Sequence, residues 1–228
     1  MHIEPGMVEA GKIGLSYLTA GGAITLSAKL LLEHIKENSF FSLLIKSLLA
    51  IVSVFIFFEV FPHHPIGVSE VHLIMGSTLF LLFGAAPAAI GLMLGLLIQG
   101  LFFAPFDLPQ YGMNLSTLVF PLFAMSYIAK RVIKPDTAYK DLSYKQALTL
   151  STTYQAGIVG WVTFWAFYGQ GFGAENLASV ASFGAAYMSI IIIEPLVDLS
   201  VLAVVKYFSK FENSLFISNR VFLVDQRV

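Results

Sequence analysis

Cysteine is absent from this 228-residue chain. That excludes a disulfide framework, a thiolate metal site and a Cys nucleophile. Charge is scarce as well. Charged residues make up 12% of the sequence, against roughly 25% in an average soluble domain. Hydrophobic residues reach 57% and mean hydropathy is +0.80, so a soluble surface cannot be covered. The net charge of −1 excludes a nucleic-acid partner, because no basic stripe is present to release counterions. No Gly-rich run is followed by Lys-Ser or Lys-Thr, so a Walker-type phosphate loop is missing and any ATP hydrolysis falls to another chain. The first six residues hold an acid and no Lys or Arg, which is the wrong start for a secretory signal. The mature chain is therefore expected to begin at Met1.

What is present is a series of apolar runs long enough to cross ~30 Å of hydrocarbon. They cover about 11–32, 41–61, 71–83, 87–103, 115–133, 147–168 and 178–205. The expected fold is all-α: a polytopic membrane bundle of about seven transmembrane helices. The third run is short enough to be a buried half-span instead. The last is long enough to tilt or to project beyond the membrane. Pro87, just after Gly84-Ala85-Ala86, reads as the turn between the third and fourth runs.

Lys and Arg concentrate at alternate connections: Lys36, the 130–145 segment, and Lys206 onward. The segments 62–70, 104–114 and 169–177 contain none, and Lys12 is the sole cation near that face. The positive-inside rule then places the N-terminus outside and the C-terminus in the cytoplasm. Neither a repeat nor a second domain is evident. One membrane domain is expected over 1–228, with a metal-binding segment at 1–10, the bundle at 11–211 and a cytoplasmic tail at 212–228.

The extreme N-terminus carries the clearest chemistry. A free α-amine, the backbone nitrogen of residue 2 and the His2 imidazole can close fused five- and six-membered chelate rings around one ion. Planar nitrogen donors of that kind suit Ni(II) and Cu(II). Three of the five histidines, His63, His64 and His72, lie with Glu70 in the first outer segment, on the same expected face as His2. Six extended residues reach ~20 Å, enough to fold Met1 back to the mouth of the bundle, where His72 opens the third run. The competing reading is a short tail and a loop of histidines without consequence. Gln99 and Asn114, in the outer halves of their runs, either orient a ligating imidazole or bond helix to helix. Gly91 and Gly95 form a small-xxx-small pair that permits close helix contact. Glu194 and Asp198 share one helix face near mid-membrane, and acids at that depth must face protein or water. A docking face for a partner subunit is preferred; an inner gate and a structural polar contact stand beside it.

The start Met1-His2-Ile3-x-x-Gly6 resembles the CbiM/NikM family, the substrate-specific membrane components of cobalt and nickel energy-coupling factor transporters. The likeness continues through Gly67-Val68-Ser69-Glu70-Val71-His72-Leu73, through Leu96-Leu97-Ile98-Gln99-Gly100-Leu101-Phe102-Phe103, and through Gly112-Met113-Asn114. The second half is similar mainly in hydropathy, with Ile193-Glu194-Pro195-Leu196 a loose match. The resemblance implies that the terminal amine of Met1, the backbone nitrogen and imidazole of His2, and His72 hold the metal; where the chain departs from the family's pattern before His72, His64 is the alternative fourth ligand. Glu70-Val71 stands where the family usually has one residue. Residues 105–111 replace the family's Gly-Gly loop. It further implies a bacterial or archaeal cytoplasmic membrane and Co(II) or Ni(II) as transported substrate rather than a permanent cofactor. The implied partners are a transmembrane coupling subunit, cytoplasmic ATPases and small accessory membrane subunits. The chain itself is then not an enzyme. The rival classes are an ion-coupled metal permease and a haem-binding electron carrier.

Overall fold

The computed structural model describes residues 2–37, 39–135 and 137–209; Met1 and the 212–228 tail lie outside them. Among the described residues seven α-helices form the bundle: α1 (Gly14–Glu37), α2 (Phe40–Phe55), α3 (Gly76–Phe83), α4 (Ala85–Phe102), α5 (Tyr111–Val132), α6 (Tyr144–Gln170) and α7 (Ala174–Ser209). A π-helical turn, Ile56–Val60, continues α2. Five of these segments are both long and apolar enough to cross a membrane. The helix α6 is long enough at 27 residues, but much of its first half is Thr, Ser, Gln and Tyr. Several of these side chains are buried inside the bundle.

The short third run resolves as a half-span. The helix α3 has eight residues, about 12 Å of helix, and residues 72–75 before it are not helical. The turn that follows falls on Gly84, whose φ of +91° no L side chain adopts easily. Pro87 sits inside the first turn of α4, where its missing N–H leaves no helical bond unmade.

Packing centres on α5, which touches α1, α4 and α6, while α2 lies along α4 and α6 along α7. Gly91 and Gly95 face α2: a Cβ on them would stand 2.6 Å from the Ala50 methyl and 2.5 Å from a Val54 methyl. The small-residue pair is therefore internal packing. Large apolar side chains such as Leu18, Phe41 and Phe102 point outward, as lipid-facing residues of a membrane bundle must.

The 62–72 segment, expected as a loop, is a β-hairpin. Strands β1 (His64–Ile66) and β2 (Ser69–Val71) pair antiparallel, with His64 opposite Val71 and Ile66 opposite Ser69. The turn at Gly67 (φ +65°) packs so tightly that a Cβ there would lie 2.1 Å from the Ser179 carbonyl of α7. The N-terminus adds to the free edge of β2 through a bridge between Ile3 and Ser69.

Candidate metal centre

Residues 2–4 lie along β2, joined to it by the bridge at Ile3. Glu70 N–H donates to the His2 carbonyl at 3.0 Å, and Glu4 N–H donates to the Val68 carbonyl at 3.2 Å. The Ser69 hydroxyl donates to the same His2 carbonyl at 2.8 Å. From α5, Asn114 Oδ1 accepts the Ile3 N–H at 2.8 Å, and Ile3 is 1% exposed. A second anchor lies ten residues on. Lys12 Nζ donates to the Gly169 carbonyl at 2.9 Å and the Tyr168 carbonyl at 3.3 Å, a cation at the negative end of the α6 dipole. Between the anchors, Gly169 admits the chain, since a Cβ on it would sit 2.0 Å from the Met7 carbonyl.

This docking buries His2 beside His72. Their rings stack with centroids 5.6 Å apart, and Phe58 packs edge-on against both. The π-helical turn, closed by a bond from Phe61 N–H to the Ile56 carbonyl at 3.1 Å, sets Phe58 in that place. Ligand atoms of His2, Glu70 and His72 all lie within 4.8 Å of one another. His2 Nδ1 bonds Glu70 Oε2 at 2.6 Å, while its buried Nε2 meets no partner in bonding geometry. Gln99 stands close enough to that ring to act on its protonation without a well-formed bond. The His72 Nδ1–H donates to the Leu73 carbonyl at 2.8 Å.

Electrostatics favour neutral imidazole and ionised carboxylate. Burial, reinforced by the positive terminal amine one residue away, lowers His2 to about 4 against the opposing pull of Glu70. Burial alone raises the Glu70 carboxyl, but the bond to His2 and its charge reverse this and hold the group at about 2. Burial and then the Glu70 charge push the Glu4 carboxyl up. Two nitrogens and one oxygen converging in this state are a donor set for a late first-row divalent ion.

Each expected site residue can now be placed. His2, Glu70 and His72 meet; Met1 lies outside the described residues. His64 is exposed on β1, so the structure gives it no part in the cluster. His63 approaches Glu70 at 3.7 Å from a half-exposed position. Asn114 grips the backbone of residue 3 rather than an imidazole, and Gln99 reaches towards Glu59, 3.5 Å away. Glu194 and Asp198 require a correction. They are 1% and 0% exposed and face α3 and α6, so they do not form a docking face. Glu194 accepts from the Ile74, Met75 and Gln155 N–H groups. Asp198 accepts from the Ser77 and Thr78 hydroxyls. The Ser69 hydroxyl and the Phe58 ring were not foreseen. Only the Ser of the Gly-x-Ser segment offered any sequence signal for either.

The bundle and its buried N/N/O cluster define a multi-pass membrane protein with the makings of a metal-handling component. Comparison sharpens this class. The family model described as "Cobalt uptake substrate-specific transmembrane region" matches residues 2–214, and the chain belongs to this CbiM family. It is a transport component by that membership. Two solved structures share the fold. One, described as a truncated transition metal transporter, is 16% identical with a TM-score of 0.66, covering 92% of this chain and 98% of the other. The second, described as a transition metal transporter, is 20% identical with a TM-score of 0.62, over 94% and 95%. No curated protein matches by sequence.

Proposed function

We propose that this chain captures Co(II) or Ni(II) at the extracytoplasmic face. The donors are the Met1 amine, the backbone nitrogen and imidazole of His2, and His72. The observation that carries the reading is the docked N-terminal segment, which sets a buried, neutral His2 against His72 with Glu70 at hand. Glu70 Oε2 sits on the same nitrogen that a terminal chelate uses, so an arriving ion meets a carboxylate there. Glu4 and Glu70 together give the entrance a negative field that attracts cations.

In this reading 1–228 is a single membrane domain with its N-terminus outside, in the cytoplasmic membrane of a bacterium or archaeon. A transmembrane coupling subunit and cytoplasmic ATPases then drive it as the binding subunit of an energy-coupling factor importer, with small accessory membrane subunits assisting. The alternative of an ion-coupled permease is separated by reconstitution. Vesicles holding this chain alone should not accumulate Ni(II) under a proton or sodium gradient, and accumulation there would favour the permease.

The direct test titrates Ni(II) into purified protein with its native Met1 and into protein carrying one extra N-terminal residue. The extension moves the amine and breaks the chelate while the bundle stays folded. Equal binding by both forms would sink the proposed ligand set.

A further inference from the structure

We propose that Glu194 is a positioning residue for His72, acting through the single peptide unit that joins Leu73 to Ile74. This rests on the metal-capture reading above and extends it to a carboxylate that touches no metal ligand.

That peptide unit is bonded at both ends. Its carbonyl, on Leu73, accepts the His72 Nδ1–H at 2.8 Å. Its N–H, on Ile74, donates to Glu194 Oε1. Because a peptide is planar and rigid, fixing the N–H fixes where the carbonyl points, and the carbonyl fixes the ring. A carbonyl can only accept, so His72 carries its proton on Nδ1, and Nε2 becomes the nitrogen for the ion. Carboxylate, peptide and imidazole thus act in line, as outer partners of metal-bound histidines do when they set tautomer and ring angle.

A second observation shows that the connection is held under load. Met75 is the only non-glycine among the described residues with positive φ, at φ 58° and ψ 27°. A side chain disfavours this left-handed region. The same Glu194 Oε1 also accepts the Met75 N–H, at 3.0 Å. Its other oxygen takes the Gln155 amide, and Gln155 in turn accepts the Tyr187 hydroxyl at 2.6 Å. The carboxylate cannot swing away without breaking α6 contacts too. Asp198, one turn further along α7, holds Ser77 and Thr78 but does not reach the Leu73–Ile74 peptide. Without Glu194 that peptide is free to flip, turning its carbonyl away from His72.

The experiment uses the full chain with native Met1. Ni(II) titration measures affinity, and Cu(II) electron paramagnetic resonance counts ligating nitrogens. Glu194→Ala should weaken Ni(II) binding about 10–100-fold and lose one nitrogen, giving the spectrum of His72→Ala. Glu194→Asp, which withdraws the carboxylate by one methylene, should show the same spectral change and serves if the alanine variant does not fold. Glu194→Gln keeps an acceptor for both N–H groups and should recover most of the affinity. Asp198→Asn should keep wild-type affinity and nitrogen count. If folded Glu194→Ala or Glu194→Asp binds with wild-type affinity and nitrogen count, the positioning role is wrong while metal capture stands. If the wild type itself binds no Ni(II), the metal-capture reading fails and takes the positioning role with it.

Discussion

Two polar clusters of this bundle contain carboxylates and use them oppositely. At the N-terminal end, His2, Glu70 and His72 stand on strand and coil, and their side-chain atoms converge on a common point. Around α3, Glu194 and Asp198 stand on one continuous helix, and their oxygens are taken up by backbone N–H groups and hydroxyls of α3 and by Gln155. A buried polar group that has its partners contributes to holding a fold together. One whose donors converge is arranged for something that arrives. The lesson is that acid and histidine counts in an apolar chain say little until each atom's partner is known.

Several measurements can break or sharpen that contrast. The largest effect is expected from His2→Ala: Ni(II) affinity should fall more than the 10–100-fold typical of an outer partner, with an unchanged thermal midpoint. Loss of folding instead would make His2 a structural residue. Asp198→Ala should do the reverse. It orphans the buried Thr78 hydroxyl, at a cost of about 1–3 kcal/mol, and leaves Ser77 only its longer bond to Ser151, so thermal stability should drop while Ni(II) affinity holds. Asn114→Leu strips the partner from the Ile3 N–H, and the same about 1–3 kcal/mol should appear as weaker metal binding, read by calorimetry. A drop in stability with full binding would move Asn114 into the structural group.

Acidity gives a fourth measurement. Burial holds docked His2 at about 4, below the ordinary 6.5 of a histidine, so the docked form binds fewer protons between those values. Docking should therefore weaken as pH falls from 6.5 towards 4. Glu70, at about 2 against 4.5, adds a further loss between 4.5 and 2. The His2 ring of the docked form, followed by NMR, should therefore stay neutral down to about pH 5 and take up its proton only as pH nears 4; a midpoint near 6.5 contradicts the buried neutral imidazole. The smallest effect belongs to His64→Ala. Exposed on β1, it should leave affinity unchanged, and a clear loss would restore it as a ligand.

Much of this was readable beforehand. Long apolar runs announced the helices because crossing hydrocarbon demands length and composition that nothing else in the chain mimics. That His2 shares a face with the histidines of the first outer segment could also be read, since the apolar runs between them set the topology; the chelate itself, which rests on Met1, stays a proposal. The hairpin could not, since two strands of three residues each give no alternation to read. Nor could the partners of Glu194 and Asp198. Apolar residues surround α7 on all sides, so its sequence does not say which neighbour covers the acids. The shortness of α3 comes from Met75, whose left-handed backbone keeps the helix from starting until Gly76 although the apolar run begins earlier.

The π-helical turn at the end of α2 has one more consequence. It winds five residues, Ile56–Val60, into space that an ordinary turn fills with fewer. The turn closes on a bond from Phe61 back to Ile56, one residue wider than an α turn. Excising a single amino acid there would leave α2 nearly as tall yet swing Phe58 and Glu59 off their present bearings. A helix can thus change what it presents at its tip without altering how it fits the bilayer.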